Sequence, residues 1–138
     1  MLTLVIANKA YSSWSQRPWI LMKHFGIPFE EIVIPMGRPE TRAEMLRHAP
    51  TGKCPSLTDG DIHVWDSLAI IEYLAESFPD LAIWPRDKAA RAMARSIAAE
   101  MHSGFQNLRM QYPANYRRAV RKMAPNDEAR ADIARVEA

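Results

Sequence analysis

The stretch "TGKCPSLTDGDIHVWDSLAIIEYLAESF", residues 51–78, decides the fold. Two short runs of strand-forming residues, Ser56–Thr58 and Ile62–Trp65, flank the dipeptide Asp59–Gly60, which is a strong β-hairpin signal. Apolar residues then recur at positions 68, 71, 74, 75 and 78, which is helical spacing, and a proline ends the run. The stretch therefore predicts an antiparallel pair of strands followed by an amphipathic helix.

Upstream of this stretch, the sequence alternates between strand and helix signals. Residues 2–7 and the segment "PFEEIVIP" (28–35) are apolar runs typical of strands. Between them a helix is expected to begin at Ser15, a candidate N-cap, and to end at Gly26. The segment "ETRAEMLRHA" (40–49) adds a short polar helix. The order β-α-β, helix, β-β-α predicts a mixed sheet with helices on both faces, which is the thioredoxin-like arrangement.

Beyond residue 80 the composition changes to one that favours helices. A linker (81–87) precedes a proline-free run from Lys88 to about Tyr112, which predicts one helix of about 37 Å. A basic irregular stretch then leads to a last helix that Asn126 is expected to cap. Two helices alone make a poor core. We therefore expect a thioredoxin-like domain (1–80), the linker, and the beginning of an incomplete all-α domain (88–138).

The bulk composition excludes several classes of protein. The chain has 138 residues, of which 48% are apolar and 25% charged, and its net charge of +2 argues for no nucleic-acid or membrane partner. No apolar run approaches the ~20 residues of a membrane helix, and the N-terminus does not resemble a signal peptide. The single cysteine, Cys54, excludes an internal disulfide. We expect a cytoplasmic protein without a metal site.

Two short motifs are candidates for ligand binding. In "KCPSL", Pro55 follows Cys54 at the beginning of a strand, where an ordinary trans proline is the simpler interpretation. In "WDSL", Asp66 and Ser67 stand where a helix begins, and free N–H groups there bind carboxylates. Asp66 can also accept from an ammonium group, so the pair suits an amino-acid head group. Plain N-capping is the alternative.

Ser12 and Ser13 lie in the loop after the first predicted strand, at the edge where α/β sheets bind ligands. No Ser-His-Asp set is present, since the four histidines are scattered, and a nucleophilic serine is therefore not expected. A hydroxyl that donates a hydrogen bond to a bound anion needs no base. The alternative is that both hydroxyls are solvated groups of a turn.

Taken in order, "SSWSQRPWILMKHFGIPFEE" (12–31), "GKCPSL" (52–57) and "DSLAIIEYLAESFP" (66–79) resemble the glutathione S-transferase family. The "SSxSxR" pattern is most similar to its serine-type, zeta-like classes. The resemblance implies a glutathione-binding thioredoxin-like domain followed by an all-helical domain. It also implies a homodimeric enzyme that conjugates glutathione, its co-substrate, to a small electrophile without a metal.

The resemblance also assigns roles by position. Ser12, with Ser13 as the alternative, would donate a hydrogen bond to the glutathione sulfur. The rest of the tripeptide would be bound by Cys54 through its backbone beside a cis Pro55, by Asp66 and Ser67 at the γ-glutamyl end, by Lys53 or Arg38 at the glycine carboxylate, and by Gln106 and Asn107 near the site.

The departures from the family pattern leave other functions open. Trp14 stands where zeta-like members carry cysteine, which counts against their isomerase activity. A non-catalytic interaction protein and a glutathione-dependent cis-trans isomerase of a small diacid remain alternatives. A redox role for Cys54 is less favoured, because such chemistry requires its thiol near the start of the first helix.

Overall fold

The structure is a computed structural model that describes all 138 residues. One four-stranded sheet has the order β2-β1-β3-β4, formed by β1 (Leu2–Ile6), β2 (Phe29–Val33), β3 (Ser56–Asp59) and β4 (Ile62–Trp65). The β1–β2 pair is parallel, and the β1–β3 and β3–β4 pairs are antiparallel. The predicted mixed sheet and its terminal hairpin are confirmed.

Six helices accompany the sheet: α1 (Ser13–His24), α2 (Thr41–His48), α3 (Ser67–Ser77), α4 (Lys88–Ser103), α5 (Gln106–Gln111) and α6 (Asp127–Glu137). Side chains along β1 alternate between two apolar clusters, as the two-residue period of a strand requires. Leu4 and Ile6 pack in one cluster with residues of α1 and α3, whereas Val5 packs in the other with Met45 of α2. The helices therefore cover both faces, which confirms the thioredoxin-like fold.

The prediction of one long helix from Lys88 to Tyr112 was wrong. The helix α4 ends at Ser103, and the Gly104 N–H closes it by donating to the Glu100 carbonyl at 2.8 Å. Phe105 then takes a left-handed conformation, with φ of 60°, and α5 begins at the next residue. A Cβ added at Gly104 would lie 2.9 Å from the Glu100 carbonyl oxygen, so glycine is needed at this break.

The residues from 88 onward contain little buried surface. Neither α4 nor α5 has a buried residue, and α6 has only Ala129. The predicted cap of α6 is confirmed, since the Asn126 side chain accepts from the Ala129 N–H at 2.9 Å. The division into domains at residues 80 and 88 stays a prediction. None of the helices has the length and apolar composition needed to cross a membrane.

Candidate functional site

The end of β1 and the start of α1 are joined through serine hydroxyls. Ser12, not Ser15, is the N-cap: its Oγ accepts from the Ser15 backbone N–H at 3.3 Å. The Ser12 hydroxyl also donates to Ser15 Oγ at 2.9 Å, and Ser15 Oγ accepts from the Ala7 N–H at 3.0 Å. The prediction that Ser15 caps the helix was therefore wrong, because Ser15 lies inside the first turn and ties it to the end of β1.

A cavity of about 530 Å³, which we call the Asp66 cavity, opens at the starts of β3 and α3 beside the end of α4. It brings together the two motifs that the sequence analysis singled out. Its lining residues are Trp14, Thr51, Lys53, Cys54, Pro55, Trp65, Asp66, Ser67 and His102. The Cys54–Pro55 peptide bond is cis, as the family resemblance implied.

Asp66 holds the start of α3 and faces a histidine of α4. Its Oδ1 accepts from the Leu68 N–H at 2.9 Å, so it is the N-cap of α3. Its Oδ2 lies 3.1 Å from Nε2 of His102. Asp66 has a φ of 79° and a ψ of 135°, a sparsely populated positive-φ conformation that costs a residue with a Cβ on the order of 1–3 kcal/mol. The carboxylate is thus fixed between a helix N-terminus and an imidazole.

Unpaired polar atoms are concentrated around the Asp66 cavity. Four buried side-chain polar atoms in the protein lack a hydrogen-bond partner, and three of them belong to cavity residues: Thr51 Oγ1, Ser67 Oγ and His102 Nδ1. Leaving such a group unpaired costs on the order of 1–3 kcal/mol, and buried polar groups are rarely left so. The residues of this cavity therefore hold most of the unpaired buried polar side-chain atoms of the protein.

A second cavity of about 510 Å³, which we call the Ser13 cavity, also has Trp14 in its wall. Ser12 and Ser13 line it together with Arg17 and Arg109. Much of its remaining wall is apolar or aromatic, and includes Tyr11, Met36, Met101, Phe105, Leu108 and Tyr112. It therefore suits a ligand with an apolar body.

Trp14 is shared by the two cavities. Its ring contacts His102 edge to face, with ring centres 5.2 Å apart. The guanidinium groups of Arg17 and Arg109 lie 4.2 and 4.5 Å from its ring centre, within the range of cation–π attraction. Neither arginine forms a salt bridge with a carboxylate. Burial, followed by the positive charge of Arg109, lowers the pKa of Arg17.

Cys54 is the only thiol in the protein and is half-buried in the Asp66 cavity. Burial raises the pKa of the Cys54 thiol, and hydrogen bonding to Ser15 opposes that rise only in part. A thiol with a raised pKa is poorly nucleophilic at neutral pH. The electrostatics of the site therefore disfavour a redox role for Cys54.

Three predicted contacts lie outside the two main cavities. Gln106 lines a small cavity of about 230 Å³ next to Trp14 and His102. Arg38 and Asn107 are exposed and line none of these three cavities. No group of three or more His, Cys, Asp or Glu side chains is placed to hold a metal ion.

The sequence analysis missed His102 and Arg109 as site residues. His102 reaches the site because α4 packs against α3, and Arg109 reaches it because its guanidinium donates to the Gly104 carbonyl and lies over the Trp14 ring. One link in that packing is the pair of hydrogen bonds, 3.0 Å each, between Arg95 of α4 and the Glu72 carboxylate of α3. Contacts between helices distant in sequence leave no local sequence pattern, so His102 and Arg109 are recognised as site residues only from the tertiary structure.

Comparisons with known proteins match the chain to one family. Residues 11–77 match the family model described as glutathione S-transferase, N-terminal domain. The chain is 34% identical over 97 residues to the probable maleylacetoacetate isomerase of Caenorhabditis elegans, covering 70% of this chain and 44% of that protein. It is 36% identical over 106 residues to glutathione S-transferase 1 of Dianthus caryophyllus, covering 76% of this chain and 48% of that protein.

A solved structure of a glutathione transferase has the same fold as most of this chain. Human glutathione transferase theta-2, in complex with glutathione and an unknown ligand, superposes with a TM-score of 0.67 at 27% identity, covering 78% of this chain and 44% of the human one. The chain spans about half the length of the curated relatives that it matches. Sequence, fold and motif order agree, and the matched residues, 11–77, belong to the glutathione S-transferase family as its N-terminal domain.

Proposed function

We propose that the protein binds glutathione in the Asp66 cavity and conjugates it to a small electrophile held in the Ser13 cavity. The observation that carries the proposal is the set of three unpaired buried polar atoms, Thr51 Oγ1, Ser67 Oγ and His102 Nδ1, around a cavity of ligand size. Glutathione is rich in carboxylate, ammonium and peptide groups that can pair with such atoms. The family membership of residues 11–77 supports the same ligand.

The start of α3 would bind the γ-glutamyl end of glutathione. Free N–H groups and the positive end of the helix dipole attract its α-carboxylate, and the buried Ser67 hydroxyl adds a donor. The Asp66 carboxylate accepts from its ammonium group. Along the rest of the tripeptide, the Cys54 backbone meets the cysteinyl unit, and Lys53, which lines the same cavity, meets the glycine carboxylate.

The chemical step is stabilisation of the glutathione thiolate. A free thiol has a pKa of about 8.5, so only a few per cent is ionised at pH 7. A serine O–H that donates to the sulfur favours the charged form and lowers this pKa. The thiolate lone pair then forms a bond to the electrophilic carbon, and the leaving group departs with its bonding electrons. The thiol proton passes to solvent.

Two serines compete for the role of donor. Spacing from the motif favours Ser12, but its hydroxyl proton is engaged with Ser15 Oγ and must turn away to reach a sulfur. Ser13 lines the same cavity and is half-buried, without the hydrogen bonds that hold Ser12. Both residues therefore enter the test.

The test compares Ser12→Ala and Ser13→Ala in turnover of 1-chloro-2,4-dinitrobenzene and in glutathione affinity. Loss of the donor should lower turnover by about 10–100-fold at pH 7, since each pKa unit is tenfold in the thiolate equilibrium, and should leave affinity nearly unchanged. Ser12→Ala also removes a cap worth on the order of 0.5–2 kcal/mol, so circular dichroism must verify folding. Unchanged turnover in both variants, or lost binding with unchanged chemistry, would contradict the serine mechanism.

A second candidate function is glutathione-dependent isomerisation of a small cis-unsaturated diacid. The observation that favours it is the pair of arginines without carboxylate partners, Arg17 and Arg109, in the wall of the Ser13 cavity. The thiolate would add to one carbon of the double bond, the new single bond would rotate, and elimination would regenerate glutathione. Production of fumarate from maleate without consumption of glutathione is the diagnostic measurement.

The two functions and a non-catalytic role give different results. Conjugation consumes glutathione, isomerisation does not, and an interaction protein retains glutathione without acting on either substrate. The homodimer and the cytoplasmic location stay predictions. Sedimentation of the purified chain, with and without glutathione, tests the first of them.

A further inference from the structure

We propose that the protein docks on anionic lipid bilayers through residues 116–122, which lie in the irregular segment between α5 and α6. We call these residues the basic loop. The proposal is independent of the proposed function, since the basic loop lines neither the Asp66 cavity nor the Ser13 cavity.

The basic loop concentrates positive charge. Residues 117–122 contain no acidic side chain and four basic ones, namely Arg117, Arg118, Arg121 and Lys122. Since the whole chain has a net charge of +2, the remainder of the protein carries a net charge of −2. The expectation of no membrane partner rested on the net charge, but attraction to a surface depends on the charges within a Debye length of it, about 10 Å in 0.1 M salt.

The cations of the basic loop have no counter-charge within the protein. All four residues are exposed, and none of them belongs to an ion pair. One of them forms a side-chain hydrogen bond: Arg118 Nη2 donates to Met123 Sδ at 3.2 Å, and a thioether sulfur is only a weak acceptor. The four charges are therefore available to an external anionic surface.

Hydrogen bonds hold the two ends of the basic loop and leave its middle unbonded. At one end the Tyr116 N–H donates to the Ala10 carbonyl at 3.0 Å. At the other end the Tyr112 hydroxyl donates to the Met123 carbonyl at 2.8 Å. Between these points the backbone N–H groups of residues 119–122 donate to no backbone carbonyl. Basic side chains and free N–H groups, both of which bind phosphate oxygens, are thus presented together.

The apolar side chains of the basic loop favour a bilayer over a nucleic acid as the partner. Val120 lies among the four cations and is fully exposed, at 104%. An apolar side chain gains free energy when it enters the boundary between headgroups and acyl chains, whereas contacts to a nucleic-acid backbone are made by charged and polar groups. Tyr116 is 70% exposed and adds an aromatic ring of the kind enriched at membrane interfaces.

The test is cosedimentation of the purified chain with vesicles of phosphatidylcholine, alone or with about 30% phosphatidylserine. At about 0.1 M salt the chain should bind only the anionic vesicles, and 1 M salt should release it, because the Debye length falls to about 3 Å. Each basic side chain near an anionic surface strengthens binding about fivefold. The variant Arg117→Gln/Arg118→Gln/Arg121→Gln/Lys122→Gln should therefore bind several hundredfold more weakly.

The matched control removes four exposed cations elsewhere that form no ion pair: Arg42→Gln/Arg47→Gln/Arg86→Gln/Lys88→Gln. The two quadruple variants have the same net charge, yet the control should bind anionic vesicles nearly as tightly as the wild type. Val120→Ser alters no charge and should bind about fivefold more weakly, because less apolar surface enters the bilayer. Circular dichroism verifies the fold of each variant, and Val120→Ser keeps the proposal testable if the loop variant does not fold.

Several outcomes would overturn the proposal. Equal losses in the two quadruple variants would show that overall charge, and not the basic loop, determines binding. Equal binding of the wild type to neutral and anionic vesicles, or binding to neither, would exclude an electrostatic membrane surface. Tighter binding to a DNA duplex than to the anionic vesicles, unchanged in Val120→Ser, would identify a nucleic-acid surface instead.

Discussion

The sheet with α1–α3 and the helices from residue 88 onward are stabilised in different ways. In the first region Leu4, Ile6, Leu57, Ile70 and Leu74 are completely buried and form one apolar cluster. In the second region Ala129 is the only buried residue, and apolar side chains on α4 are exposed, as Met93 and Ile97 illustrate at 62% and 58%. Burial of apolar surface is the main stabilising term in folding, so most of the stability resides in the first region.

Polar contacts replace the apolar core in the second region. The Leu108 N–H donates to Asp132 Oδ2 at 2.9 Å, and the Tyr112 hydroxyl donates to the Met123 carbonyl at 2.8 Å. The candidate site draws on both regions, with Asp66 from the packed one and His102 from the other. Binding of a ligand between them is therefore expected to stabilise the docking of α4 more than it stabilises the sheet.

The largest expected effect is a cavity in the apolar cluster. Leu57→Ala should lower the free energy of unfolding by about 2–5 kcal/mol, because Leu57 is fully buried on β3. Ile97→Ala on the exposed face of α4 should change it by less than about 0.5 kcal/mol. Urea unfolding followed by circular dichroism measures both. Equal losses of unfolding free energy in the two variants would show that the helices from residue 88 onward have an apolar core of their own, and the two regions would then not differ in how they are stabilised.

The next effect concerns a buried hydroxyl. Ser15→Ala should destabilise the protein by about 1–3 kcal/mol, since it leaves the buried Ala7 N–H without its acceptor. Ser96→Ala is the control, because its exposed hydroxyl only donates to the Ala92 carbonyl one turn earlier in α4. The urea midpoints of unfolding of the two variants measure these effects. If Ser96→Ala were as destabilised as Ser15→Ala, the loss could not be attributed to the unpaired Ala7 N–H.

The same contrast explains what the sequence could predict. The strands, the hairpin at Asp59–Gly60 and the helix after Asp66 have local signals, namely apolar runs, a turn dipeptide and helical spacing, and all of them are confirmed. The break at Gly104 was missed, because glycine in a helical pattern is only a weak breaker and Phe105 gives no sign of a left-handed conformation. The cap was misassigned because three nearby serines are all suitable N-caps.

The candidate site divides in the same way. Asp66, Ser67, Cys54 and Pro55 belong to local motifs, and the structure brings them into one cavity as the sequence analysis expected. His102 was set aside as one of four scattered histidines, since its contact with Asp66 depends on how α4 packs against α3. Site residues that come from the helices beyond residue 88 are therefore not predictable from local sequence motifs.

The third prediction concerns the pH dependence of Cys54. Because its pKa is raised in the folded protein, alkylation by iodoacetamide should rise with pH at a higher midpoint than in the urea-unfolded chain. As pH rises, the thiol ionises in the unfolded chain before it ionises in the folded protein. Its contribution to the free energy of unfolding is therefore fully present below the unfolded-state pKa and is lost as pH rises through the folded-state pKa. Glutathione should slow the alkylation if it occupies the Asp66 cavity. A midpoint at or below that of the unfolded chain would show that the thiol is not desolvated.

The smallest expected effect is an exposed ion pair of the second region. Arg135 of α6 lies 2.6 Å from Glu100 of α4, measured from Nε to Oε1, and both side chains are substantially exposed. A double-mutant cycle of Glu100→Gln and Arg135→Gln should give a coupling of about 0.2–1 kcal/mol, because solvent screens such pairs. The coupling should shrink further in 1 M salt. A coupling above about 2 kcal/mol that resisted salt would show that the region is stabilised chiefly by its ion pairs, and the contrast between the two regions would then need a different physical basis.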